Sequence, residues 1–232
     1  MFISTENLTK SYQTGKTETI ALSDVNITLE QSEIGVILGP SGSGKSTLMN
    51  ILGGIDRAKS GTAVVDGVDI TKLDDDSLTE YRRGKIGFIF QSYNLIPHLT
   101  VLENIEVIEN ISASPLNMDD VLSAVGLSDK KGSFPRELSG GEQQRVAIAR
   151  AVVKNPKLLL CDELTGALDY DSAIKALALI QDINKKFGTT ILIITHNAAI
   201  SAMANRVYKL RSGKVVDSRI NDNVIDARRI DW

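Results

Sequence analysis

Hydrophobic residues along the chain gather into short unbroken runs, separated by stretches with helical periodicity. Ile34–Leu38 reads IGVIL, with no alternation of polar and apolar positions, as a strand covered on both faces does. KLLLC before Asp162 and TTILIIT before His196 have the same form. Between Phe2 and Leu29 the pattern predicts short strands joined by the polar turn QTGKTET, with ITLE closing the second. Ala63–Val65, Ile86–Phe90 and a last hairpin around SGK complete the strands. Helical spacing is read in STLMNILGG, with a glycine stop, and in DDDSLTEYRRG, whose acidic start suits the helix dipole. It recurs in EQQRVAIARAVVK, which stops near Pro156, and from Ser172 to Phe187. From Ser92 to Pro135 strand signals vanish. Two or three short helices around VLENIEVIEN and MDDVLSAVG, broken by Pro97, Pro115, Gly126 and Pro135, read as a helical insert. Strands alternating with helices predict an α/β fold with a mainly parallel sheet.

A chain of 232 residues, 42% hydrophobic and 24% charged, can bury a core without disulfides or metals. Its 26 basic and 29 acidic residues leave a net charge of −3, so no nucleic-acid partner is expected. The single Cys161 lies in an apolar run and reads as a core residue in a reducing compartment. No apolar run approaches the roughly 18 residues of a membrane helix. The start MFISTENLTKSY carries no secretory pattern, so a cytoplasmic location is expected, with any membrane role through a partner. The sequons at Asn7, Asn26 and Asn110 then read as chance matches. Two histidines, His98 and His196, are too few and too far apart for a metal site.

The first chemistry appears at 39–46, GPSGSGKS, which fits G-x-x-x-x-G-K-[ST] between a buried strand and a helix. Gly42 and Gly44 let backbone N–H groups approach phosphate oxygens. Lys45 reaches the β- and γ-phosphates, Ser46 can ligate Mg²⁺, and Thr47 adds a contact at the helix N-terminus. The loop alone says nucleotide. TKLD at 71–74 has the form of a guanine-reading motif, but the only D-x-x-G, DKKG, follows it, in the wrong order. LLLCDE at 158–163 ends a strand in two carboxylates. Asp162 can hold Mg²⁺ through its water shell, and Glu163 can accept a proton from an attacking water or orient it.

With LSGGE at 138–142 and QQRVAIARA after it, the chain resembles the ATP-binding cassette (ABC) family of transporter ATPases over almost its whole length. GPSGSGKS, the glutamine of FIFQSYN, LSGGE, LLLCDE with GALD, and the histidine of IITHN occur in the family's order. The resemblance implies a P-loop NTPase fold of the ABC-ATPase type. A RecA-like core would carry an N-terminal antiparallel β-subdomain and an inserted α-helical subdomain. The chain 1–232 would be one ABC ATPase domain, with 1–91 and 155–232 as nucleotide-binding core lobe and 92–154 as helical, signature-bearing lobe. ATP and Mg²⁺ are the implied cofactors. Tyr12 would stack on adenine. Gly39, Pro40, Ser41, Gly42, Ser43, Gly44, Lys45, Ser46 and Thr47 would hold phosphates, with Ser46, Gln91 and Asp162 toward the metal. Glu163 would be the catalytic base, Gln91 the sensor of metal and water, and His196 the γ-phosphate sensor. Ser139, Gly140 and Gly141 would bind the γ-phosphate held by another subunit, and Asp169 would touch that subunit. The implied partners are a second copy in a head-to-tail homodimer and an integral membrane permease. The chain would then be peripheral on the cytosolic face of the membrane.

GPSGSGKSTLMNILGGIDR, YRRGKIGFIFQSYNLIPHLTVLENI and the TGALD segment are similar to one branch of the family. It contains the macrolide-export, lipoprotein-release, cell-division and antimicrobial-peptide-resistance ATPases. Three departures stand out: Leu164 where the branch usually has proline, Glu142 where glutamine is commoner, and an insert several residues short near SASPLNMDD. The rival readings are a soluble, permease-free ABC ATPase and a nucleotide sensor. The absence of coiled-coil insertions, a tandem cassette and zinc fingers speaks against the first, and intact Glu163 and His196 against the second.

Overall fold

A computed structural model describes residues 1–15 and 17–231. In chain order its elements are β1 (Ile3–Thr14), β2 (Thr17–Val25), β3 (Thr28–Leu29), β4 (Ile34–Leu38), α1 (Lys45–Leu52), β5 (Ser60–Val65), β6 (Val68–Asp69), α2 (Asp75–Lys85), β7 (Ile86–Ile89), α3 (Val101–Glu109), α4 (Met118–Ala124), α5 (Gly140–Val152), β8 (Leu158–Asp162), α6 (Tyr170–Phe187), β9 (Thr190–Thr195), β10 (Arg206–Arg211) and β11 (Lys214–Ile220). Two sheets form. One is antiparallel, in the order β2-β1-β5-β6 with β3 also on β1. The other runs β11-β10-β4-β9-β8-β7, and all its pairs are parallel except β10–β11.

The unbroken apolar runs follow from two covered faces. Along β4, Ile34 and Val36 face one core and Ile37 the other. Leu159 and Cys161 of β8, with Ile191 and Ile193 of β9, join Ile34, while Leu158, Leu160, Leu192 and Ile194 join Ile37. The first core is closed by α3 to α6, and the second by α1, α2 and the antiparallel sheet. A strand with no polar side still alternates, but between two apolar layers. Cys161 is a fully buried member of the first core, and burial raises its thiol pKa, as suits packing rather than reactivity.

The helix limits follow local chemistry. Asp74 caps α2 by accepting from the Ser77 amide at 2.8 Å. Thr100 and Glu103 form a reciprocal capping box on α3. Two expectations are refined. Thr28–Leu29, read from ITLE as the end of the second strand, is a separate strand on β1. Of the predicted turn QTGKTET, Gln13 and Thr14 belong to β1 and Thr17 to Thr19 to β2, Gly15 is a turn residue, and Lys16 lies outside the described residues. Among the described residues no helix is long and apolar enough to cross a membrane.

Candidate functional site

The phosphate loop leaves the C-terminal end of β4 and runs into α1, where a parallel sheet presents its ligand crevice. Gly39 donates to the Thr195 carbonyl of β9 at 3.3 Å, and the Ser43 carbonyl accepts from Gly213 at 3.0 Å, so both neighbouring strands fix the loop. Gly44 has φ +102°, and a Cβ there would lie 2.4 Å from the Ala21 carbonyl. No other residue fits. The amides of Gly42, Gly44, Lys45 and Ser46 donate to no described residue. They form a concave set of donors at a helix N-terminus, as an anion requires. Lys45 is buried, and its Nζ donates to the Gly39 and Pro40 carbonyls at 2.8 and 3.0 Å.

Across the loop stand the ends of β8 and β9. Asp162 and Glu163 are half-buried, and the Glu163 carboxylate lies 4.0 Å from Lys45 Nζ. Glu163 has φ +47°, a left-handed backbone that costs a non-glycine residue about 1 kcal/mol or more. Its amide donates to Ile194 at 3.0 Å, and its carbonyl accepts from Gly166 at 2.9 Å. The Thr195 hydroxyl donates to its carboxylate at 3.2 Å, and His196 Nδ1 lies 3.1 Å from it. His196 is otherwise exposed. Gln91, at the end of β7, comes down on Gly166, whose Cβ position would be 3.1 Å from Gln91 Nε2.

Pro40–Thr47, Gln91, Asp162, Glu163 and His196 line one cleft of about 760 Å³, with Thr19, Ile20 and Ala21 of β2 on its other wall. Burial raises the Asp162 pKa. The Glu163 charge adds to this, and Lys45 partly offsets it. The Asp162 carboxylate accepts no hydrogen bond from a described residue, so its partly desolvated oxygens are left open, as a hard cation would need. Ser43 Oγ is likewise buried with no described partner. This donor set and its charges fit a Mg²⁺-bound polyphosphate.

A raised native pKa means that the folded chain binds more protons than the unfolded one between the ordinary aspartate value and the native one. Stability from Asp162 therefore falls as pH climbs through that window and stays lost above it. Asp162→Asn is expected to raise Tm at pH 7 without nucleotide or Mg²⁺, with the gain shrinking at acid pH below the window. Thermal melts across pH check this, and a lower Tm at pH 7 would overturn it.

Besides Gly39, which leads from β4 into the loop, five expected residues lie outside the cleft lining: Tyr12, Ser139, Gly140, Gly141 and Asp169. Ser139 caps α5, and its capping box with Glu142 closes through 2.8 and 3.3 Å bonds. Either Glu or Gln can close such a box, which accounts for the tolerated Glu142. It also draws Gly140 and Gly141 into the first turn, two residues before the helix expected from EQQRVAIARAVVK. The amides of Gly140 and Gly141 donate to no described residue. Asp169 caps α6 by accepting from the Ser172 amide at 3.0 Å. A Cβ on Gly141 would lie 2.9 Å from Ser172 Oγ, so the caps of α5 and α6 sit side by side. Tyr12 is 40% exposed, and its hydroxyl donates to Asp56 at 2.6 Å.

Sequence reasoning passed over Thr195, although it sits at the end of a strand beside His196. It also passed over Arg150 of α5, which donates to the Tyr93 and Asn94 carbonyls at 2.9 and 2.5 Å. Those two residues are consecutive and left-handed, just past Gln91.

A model of the ABC transporter family matches residues 22–166. A putative ABC transporter ATP-binding protein of Mycoplasma pneumoniae is 42% identical over 99% of this chain. The chain spans only half of that relative's length. The macrolide export ATP-binding/permease protein MacB of Rhodopseudomonas palustris is 41% identical over 94% of the chain, which covers 34% of it. The dimeric structure of the ATP-binding cassette MJ0796, from Methanocaldococcus jannaschii, is described as a post-hydrolysis state bound to ADP and Pi. It superposes with a TM-score of 0.85 at 37% identity, covering 94% of this chain and 98% of that one.

Proposed function

From the ABC transporter family, to which this chain belongs as an ATP-hydrolysing ATP-binding subunit, we propose that two copies close head to tail on two ATP molecules to drive a membrane permease. The separation of the two anion-binding elements carries the dimer. One cleft gathers the phosphate loop, Asp162, Glu163 and His196, while the free amides of Gly140 and Gly141 face elsewhere. A second copy supplies what each cleft lacks, and Asp169, beside the signature turn, meets that copy at the seam. The dimeric form of the related MJ0796 cassette supports this arrangement.

In each composite site the loop amides and Lys45 hold the phosphates. Ser46, Gln91 and Asp162 hold the metal, which when bound neutralises phosphate charge and polarises the γ-phosphoryl group. Glu163, oriented by Thr195 and His196, takes a proton from the attacking water. His196 and the partner's signature amides meet the γ-phosphate, and Tyr12 takes the adenine from the edge. Loss of the γ-phosphate removes the differential affinity that favours closure, and the dimer reopens.

The exposed Ile96, Val107 and Ile111, on and beside α3, give the helical lobe 92–154 an apolar surface through which that movement can reach a permease. The core lobe is 1–91 with 155–232. The chain then sits on the cytosolic face of the membrane through its partner. The test is to extract membranes carrying the tagged chain in mild detergent and identify what co-purifies. A permease with few membrane helices and a large outer domain is expected. A chain recovered free of any membrane protein would favour the permease-free ATPase instead.

A further inference from the structure

Tyr12 stands outside the cleft lining, but its cross-strand neighbour belongs to it. The β1–β2 register sets Tyr12 opposite Thr19, and Thr19 belongs to the lining. The Tyr12 hydroxyl donates to Asp56 Oδ2 at 2.6 Å. Lys10 Nζ donates to Asp56 Oδ1 at 2.5 Å and to the Arg57 carbonyl at 2.7 Å, and lies 4.8 Å from the centroid of the Tyr12 ring. The Asp56 amide donates to Asn50 near the end of α1, so the carboxylate is tied to the helix that the phosphate loop opens. The Lys10–Asp56 pair is mostly buried, with side-chain exposures of 14% and 26%, whereas the ring it holds is 40% exposed. A tyrosine that served only to pack β1 on α1 would bury its ring and leave its hydroxyl to solvent. Here the hydroxyl is anchored and the ring is offered.

We propose that Lys10 and Asp56 are positioning residues that fix the Tyr12 ring as the platform for the nucleotide base, at a set distance from the phosphate loop. This rests on the reading that Tyr12 meets the adenine. The ammonium on the ring holds one side, and the exposed remainder receives the purine. Because Tyr12 is fastened to Asp56, and Asp56 to the helix that the phosphate loop opens, base and phosphate contacts share one anchor. The base is recognised by stacking, through a ring that cannot swing away.

Calorimetric titration with Mg·ATP and with Mg·tripolyphosphate, which has no base, tests this. Asp56→Ala and Tyr12→Phe are each expected to weaken ATP binding about fivefold, with tripolyphosphate binding unchanged. Asp56→Asn, which keeps an acceptor, should fall between, and Asp56→Ala should add little to Tyr12→Phe. An equal loss for ATP and tripolyphosphate would mean that Asp56 merely supports the fold, and the proposal fails. If Tyr12→Ala weakens ATP binding but Tyr12→Phe and Asp56→Ala do not, stacking stands and positioning is overturned. If Tyr12→Ala leaves ATP binding unchanged, the base reading falls and the proposal with it.

Discussion

Replacing Glu163 by glutamine is expected to lower steady-state ATP hydrolysis by about three orders of magnitude while leaving nucleotide binding intact, within the range for losing a general base. Glutamine keeps the side chain's length and an oxygen for the Thr195 hydroxyl, 3.2 Å away in the native chain. It also tolerates the φ of +47° no worse than glutamate. What it loses is the ability to take a proton, and with it the charge facing Lys45 at 4.0 Å. The neighbouring Asp162 benefits, because part of its raised pKa comes from the Glu163 charge. The variant should therefore fold at least as stably as the native chain and retain its affinity for Mg·ATP. Hydrolysis no longer opens the dimer, so ATP should drive the variant into a species of twice the mass, seen by light scattering. Phosphate release near the native rate would remove Glu163 from its role as base.

The fold was largely legible because its strands are uncommonly apolar. IGVIL, KLLLC and TTILIIT each exceed what a half-exposed strand carries, and each lies between two cores in the structure. The cleft was legible for a different reason. Phosphate chemistry needs backbone amides, one lysine and a hydroxyl in a fixed order, and GPSGSGKS states that order directly. Polar contacts between distant segments were not legible. Gln181 of α6 accepts from the Ala227 amide at 3.0 Å and donates to the Ile225 carbonyl at 3.0 Å, fastening the chain's last turn. No periodicity signals such a clamp. Asp56 follows a predicted helix as an ordinary surface acid and gains its meaning only when β1 brings Lys10 and Tyr12 beside it. The helical insert, read as a separate feature, shares one continuous core with the sheet through Val101, Ile105, Leu122 and Leu159. Composition breaks at Ser92, but packing does not.

Two inactive variants should restore each other when mixed. Lys45→Ala removes the buried cation that faces the phosphates, and Gly140→Asp places a carboxylate where the signature amides await one. The aspartate fits its own chain. A Cβ on Gly140 meets nothing closer than the Tyr93 hydroxyl at 3.5 Å, and an acid in the first turn favours α5 by about 0.5 kcal/mol. Its effect is repulsion of a phosphate, not damage to the helix. Alone, each variant spoils both sites of a head-to-tail dimer, and ATP turnover is expected to fall at least about a hundredfold. In a mixed dimer one site joins the phosphate loop that lacks its lysine to the signature turn that carries the aspartate, and is doubly defective. The opposite site joins an intact phosphate loop to an intact signature turn. Random pairing at equal amounts makes about half the dimers mixed, each with one whole site, so about a quarter of native sites should return. A site completed within one chain gives no recovery at any ratio, because every copy carries a lesion. Activity against mixing ratio thus separates the two geometries: a curve peaking near equal amounts requires phosphate loop and signature to come from different copies, and a flat line excludes it.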